Sequence, residues 1–113
     1  MDEFKIDFTK DIVVVKVDII TATLRDAKPL WDEFESHLIF NQKKIIIDFS
    51  DCHSVDSTFM GMIVKIYKKV TGEDGIMKVV FPDVETAITF HMTNISKIID
   101  CYDSLEEALD SFD

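Results

Sequence analysis

KIIIDF (residues 44–49), SDCHSVDS (residues 50–57), an amphipathic stretch reaching Val70 and then MKVVF (residues 77–81) follow one another in the middle of the chain, and their order decides the fold. KIIIDF is short, almost continuously apolar and rich in β-branched residues, which describes a central strand covered on both faces or lying deep in a sheet. After it Phe59, Met62, Ile63, Ile66, Tyr67 and Val70 recur at spacings of three and four, so they line one face of a helix packed on that sheet while Lys65, Lys68 and Lys69 face solvent. Gly72 and Gly75 close the helix, and MKVVF returns as a strand. A strand, a helix and a strand in that order imply a right-handed crossover to a parallel neighbour.

Working outward, Phe4, Ile6 and Phe8 alternate with Lys5, Asp7 and Thr9, the period of a half-buried strand. The polar group Thr9, Lys10 and Asp11 separates it from IVVVKV, which starts at Ile12 and pairs back as a hairpin. Residues 18–25 show no period. Ala27, Leu30, Trp31, Phe34 and Leu38 then follow helical spacing, with Asp26 as N-cap and Pro29 in the first turn, where a missing N–H matters little. Pro82 and Asp83 open a third helix carrying Val84, Ala87, Ile88 and His91, with Asn94 as a left-handed C-cap. Ile98 and Ile99 mark a short last strand. Ser104 and Glu107 form an S-x-x-E box, and Leu105, Ala108, Leu109 and Phe112 are the apolar face of a final helix. The sum is an α/β domain: a mixed sheet of four to five strands, its later strands parallel, with about four helices. Few glycines and prolines and no Ser-rich stretch leave no linker, so residues 1–113 form one domain.

A chain of 113 residues can bury about two-thirds of its unfolded surface in one core, and so needs no metal or disulfide to fold. The 22 acidic against 12 basic residues give a net charge of −10, which repels phosphate backbones and argues against nucleic acid as a partner. No apolar run approaches membrane-spanning length, so direct membrane insertion is excluded, and the start MDEFKIDF is acidic where a signal peptide is basic; the expected location is the cytoplasm. Cys52 and Cys101 have no C-x-x-C or histidine companion, and read as small buried residues rather than zinc ligands or a disulfide.

The chemistry concentrates between the central strand and its helix, at the carboxyl end of the strand, where parallel α/β sheets gather their sites. Asp51, His53, Asp56, Ser57 and Thr58 form the densest reactive set in the sequence. A nucleotide loop would need glycines there, and none occurs before Gly61. The G-x-S-x-G elbow of a hydrolase is absent, though His53 with Asp51 or Asp56 remains a conceivable base. A phospho-acceptor aspartate could be Asp48 or Asp51, but the first hairpin offers only Asp11 toward the paired carboxylates that Mg²⁺ needs. The remaining reading uses the hydroxyls. Ser57 and Thr58 at a helix start either cap it or accept a phosphoryl group, whose charge of about −1.5 to −2 the helix N-terminus tolerates.

Thr58, Gly61, Met62 and Lys65 fall along one stripe at i, i+3, i+4 and i+7, and Gly61 leaves a gap one turn beyond the hydroxyl where a partner backbone can approach. Met60 and Val64 lie beside this stripe, either as adaptable apolar surface or buried under another element. His37, His91 and Trp31 read as packing residues on helical core faces.

The apolar strand from Ile45 to Phe49, the short acidic loop and Asp56-Ser57-Thr58 followed by Gly61 resemble the STAS domain, the family of sulfate-transporter and anti-sigma-factor-antagonist domains, whose pattern is similar to D-S-[ST]-G-[LF]-G. The resemblance runs from about Phe4 to Phe112 in element order. It implies the STAS-like fold. It also implies that the unmodified domain binds an anti-sigma factor with serine/threonine kinase activity, that the second hydroxyl of the motif is phosphorylated, and that a PP2C-type phosphatase reverses the step. Carried over by position, the acceptor is Thr58, with Ser57 as the alternative and Asp56 and Ser57 as its motif neighbours; together with the stripe, the expected partner-binding set is Asp56, Ser57, Thr58, Phe59, Gly61, Met62 and Lys65. The chain departs from the pattern in having Phe59 where the family usually has Gly, in lacking a Gly near Asp18, and in offering Thr rather than Ser. The function implied is a phosphorylation-controlled protein-binding switch, a monomer or weak dimer, with no cofactor and no catalysis of its own. The alternatives are a non-phosphorylated STAS scaffold or transporter-associated subunit, and a small hydrolase using His53.

Overall fold

A computed structural model describes residues 3–81 and 95–113, apart from the side chain of Ser96. The strands are β1 (Phe4–Thr9), β2 (Ile12–Val17), β3 (Thr21–Ala22), β4 (Lys44–Asp48), β5 (Ser54–Val55), β6 (Ile76–Val80) and β7 (Asp100–Tyr102). The helices are α1 (Leu24–Ser36), α2 (Ser57–Gly72) and α3 (Leu105–Asp110). Five strands form one sheet in the order β1-β2-β4-β6-β7, in which β1 runs antiparallel to β2 and every later pairing is parallel. KIIIDF therefore lies in the middle of the sheet, where its composition puts it: Ile45, Ile46 and Ile47 are fully buried. Each contributes about 1.5–3 kcal/mol of burial free energy.

The pleat divides the core in two. Val13, Val15, Val17, Ile45, Ile47 and Phe49 meet Leu30 and Phe34 of α1 and Phe59, Ile63, Ile66 and Val70 of α2. On the other face Ile12, Val14, Ile46 and Val80 pack with Ala108 of α3, with Leu105, Leu109 and Phe112 around it. Lys78 points into this second face and is buried. Its ammonium donates to Ser111 Oγ at 2.7 Å and sits 4.2 Å from the centre of the Phe112 ring, so hydrogen bonding and a cation–π contact replace the water it has lost.

Several boundaries differ from the sequence reading. The N-cap of α1 is Thr23 rather than Asp26: Thr23 Oγ1 accepts from Arg25 N, and Asp26 at N3 returns the bond by accepting from Thr23 N at 2.9 Å. The helix thus starts earlier, and Pro29 sits beyond its first turn, where the carbonyl four residues back loses its helical partner; Arg25 and Pro29 are both exposed, so solvent is at hand. Leu38 is not on the core face. The helix ends at Ser36 and Leu38 adopts a left-handed φ of 55°, which turns the chain away and leaves its side chain exposed. His37, expected to pack, is the exposed C-cap and pairs with Glu33 at 3.0 Å. The last strand is Asp100–Tyr102; Ile98 and Ile99 precede it in a turn, with Ile99 alone buried. The short β3 and β5 occupy stretches the sequence left without a period. The helix expected from Pro82 to Asn94 lies outside the described residues.

Gly75 earns its place at the end of α2. A Cβ there would stand 2.7 Å from Val70 Cγ1 and 3.0 Å from the Val70 carbonyl, so only glycine lets β6 turn back this tightly.

Candidate functional site

β3 and β5 are only two residues each, yet they set the site. They pair in parallel, Thr21 with Ser54 and Ala22 with Val55, and Asp56 N continues the ladder by donating to Ala22 O at 2.9 Å. Since α1 starts just after β3 and α2 just after β5, the two helix N-termini emerge side by side. Asp56 then ties them together. As N-cap of α2 it accepts Phe59 N through Oδ1 at 2.8 Å, and through Oδ2 it accepts Leu24 N, the first residue of α1, at 2.9 Å. A carboxylate is favoured there, because both helices turn unpaired N–H groups and the positive ends of their dipoles toward it.

This arrangement decides what the neighbouring hydroxyls do. Capping falls to Asp56, so Ser57 and Thr58 occupy the first two positions of α2 without that duty. Both are exposed, and among the described residues neither hydroxyl is held by a hydrogen bond. Gly61, one turn on, is also exposed, and a Cβ built on it would meet nothing within 4 Å. Met62 is half-buried against the core, and Lys65 lies on the surface with its ammonium 4.9 Å from the centre of the Trp31 ring. Trp31 is accordingly half-buried rather than wholly internal.

Phe59 does not join this surface. Its ring is fully buried, edge-on to Phe49 at 6.3 Å, because position N3 of α2 faces the sheet. Met60 is likewise buried, and Val64 is half-buried against the main cluster, so of the two readings open for this pair the exposed one does not hold. Two side chains that the sequence did not single out flank the site instead: Ile20 is 71% and Leu24 64% exposed. Ile20 is fixed by its carbonyl, which accepts from His53 N at 2.8 Å, and Leu24 by its bond to Asp56. Their only sequence signal was an apolar residue in a stretch without period.

The rest of the acidic loop is committed to structure. Asp48 is buried and accepts from Ser50 N at 2.9 Å and from the Ser50 hydroxyl. Asp51 pairs with Lys16 at 2.8 Å, and this hydrogen-bonded cation holds the Asp51 carboxyl below the usual carboxylate range while Asp51 raises Lys16. Asp51 is thus engaged by Lys16, and Asp56 by the two helix starts. Among the described residues no three His, Cys, Asp or Glu side chains gather as a metal ion would need. Cys52 is buried, and burial, helped by Asp100, pushes the Cys101 thiol up to about 12. No described helix is long and apolar enough to cross a membrane.

Comparison with known proteins agrees with this architecture. The sequence profile described as the STAS domain matches residues 4–108. A Thermotoga neapolitana protein provisionally named an anti-sigma factor antagonist is 34% identical over 77 residues, covering 68% of this chain and 68% of that protein. The crystal structure of a Thermotoga maritima protein, with the same provisional name, superposes with a TM-score of 0.85 at 25% identity, over 96% of this chain and 92% of that one. The Bacillus cell fate determinant SpoIIAA in its phosphorylated form shares the fold, with a TM-score of 0.71 at 15% identity over 97% of this chain and 99% of that one.

Proposed function

The chain belongs to the STAS domain family, and on that footing we propose that it is an anti-sigma factor antagonist switched by phosphorylation of Thr58. In this reading the unmodified chain binds an anti-sigma factor kinase through Ser57, Thr58, Gly61, Met62 and Lys65, with Ile20 and Leu24 at the margin. The kinase transfers the terminal phosphoryl of ATP to Thr58 Oγ1: an O–P bond forms, the bond to ADP breaks, and the hydroxyl proton leaves to a base of the kinase. The product carries about −1.5 to −2 additional charge at an interface that was complementary to a neutral alcohol. Like-charge repulsion on a chain already at −10, together with the cost of desolvating a dianion, ends the complex. A PP2C-type phosphatase restores the binding form, and the whole cycle belongs in the cytoplasm.

The observation that carries the reading is the division of labour between Asp56 and Thr58. Asp56 holds both helix N-termini, so the exposed Thr58 hydroxyl can be modified without removing a cap. The helix dipole favours the added anion, so the fold is kept while the surface changes. The buried ring of Phe59 also removes the obstacle that a bulky residue beside the acceptor would pose.

Incubation of the chain with an anti-sigma factor kinase of its own organism and ATP, followed by peptide mapping in a mass spectrometer, tests this. One phosphoryl group on Thr58, absent from Thr58→Val, is expected. Absence of phosphate from both Thr58 and Ser57 overturns the switch and leaves a STAS scaffold.

A further inference from the structure

Among the described residues β1 is an edge strand, bonded only to β2. Glu3 O accepts from Asp18 N at 2.8 Å, one step beyond the Phe4–Val17 pair, which fixes the pleat. Lys5, Asp7 and Thr9 turn their backbone groups toward β2, while Phe4, Ile6 and Phe8 turn their N–H and C=O groups outward. The free edge is not apolar along one face only by pattern: Phe8 is 62% exposed, and an open groove of about 440 Å³ runs beside it between Phe4, Ile6, Glu33 and His37. A long edge with unpaired donors and acceptors is a template for another strand.

We propose that this strand is a homodimer interface, in which β1 pairs antiparallel with β1 of a second copy about a two-fold axis at Ile6. Charge complementarity selects both the occupant and the register. Hydrogen bonding requires outward residues to face outward residues, which leaves two-fold axes at Lys5, Ile6 or Asp7. An axis at Lys5 sets Lys5 against its own copy, and one at Asp7 sets two aspartates together; like charges directly opposite are destabilising. With the axis at Ile6, Lys5 faces Asp7 of the second copy twice over, Phe4 faces Phe8, and Ile6 faces itself. Lys5 already pairs with Asp18 at 3.0 Å but keeps a side-chain exposure of 59%, enough to reach a second carboxylate. The exposed Phe8 ring gains an aromatic neighbour on the grooved face. Ser57 and Thr58 lie on α2, not on this edge, so each copy retains its own site.

Sedimentation velocity of the full chain over a concentration series, with Asp7→Lys and the exchange Lys5→Asp/Asp7→Lys, tests the interface. The wild type is expected to equilibrate between monomer and dimer. Asp7→Lys, which changes only an exposed side chain, is expected to weaken the dimer roughly tenfold or more by setting Lys against Lys, and the double exchange to restore it by re-creating opposite pairs. Ile6→Cys should crosslink two copies under mild oxidation where the wild type does not, since facing residues of such a pair stand about 5.5 Å apart at Cα, within disulfide reach. A wild type that stays monomeric throughout overturns the proposal, as does a dimer that Asp7→Lys leaves unchanged or the double exchange fails to restore.

Discussion

Asp56 accepts backbone N–H groups from two different helices, Phe59 N at 2.8 Å and Leu24 N at 2.9 Å, and the site depends on that pair of hydrogen bonds. Each cap of this kind contributes about 1 kcal/mol. Asp56→Ala should therefore lower stability by about 2 kcal/mol, read as a fall in the urea midpoint at unchanged slope. Asp56→Asn should cost about half as much, because the amide keeps one acceptor oxygen but its NH₂ cannot accept from Leu24. The sequence made the run Asp56-Ser57-Thr58 legible as a helix start, since all three residue types favour that position. It could not tell which of them caps, because the choice rests on Leu24, whose amide arrives from 32 residues away. Phe59 lies on the core face that its helical spacing gives it, and not among the exposed residues of the motif. Its neighbours in the motif face solvent, but a helix rotates by about 100° per residue and carries the next ring into the core.

At the scale of elements, the strands with a strong pattern were readable and those without were not. The alternation in β1 and the β-branched run of β4 each announce themselves, and α2 shows its period over four turns. β3 and β5 are two residues long, too short for any period, and are held by each other and by Asp56 rather than by propensity. The end of α1 was overrun because Leu38 continues the helical spacing while its backbone has already turned left-handed. In α2 the proposed function and local stability pull in opposite directions at Gly61. Nothing fills the space beside it, so Gly61→Ala should stabilise the helix by about 0.5–1 kcal/mol. The same methyl blocks close approach of a partner backbone, so calorimetric titration with the anti-sigma factor should show weaker binding even as the melting temperature rises. Unchanged binding would remove Gly61 from the contact surface.

For the whole molecule, the two faces and the edge of one sheet carry different tasks. The face under α1 and α2 positions the hydroxyls, the face under α3 is sealed around Lys78, and β1 leaves a strand edge open. Element order and composition made the α/β class and the family resemblance legible from the chain alone. The exposure of Ile20 and Leu24 was not, because it depends on where two helix starts meet. The charge of −10 matters at this scale too. A partner drawn to so acidic a surface is sensitive to where further charge is placed, and a phosphoryl group on Thr58 places it beside the joined helix starts. The affinity of the anti-sigma factor for the unmodified and the Thr58-phosphorylated chain, titrated side by side with circular dichroism confirming an unchanged fold, measures this directly. A loss of binding on the order of a hundredfold on phosphorylation is predicted; equal affinity for the two forms would contradict the account.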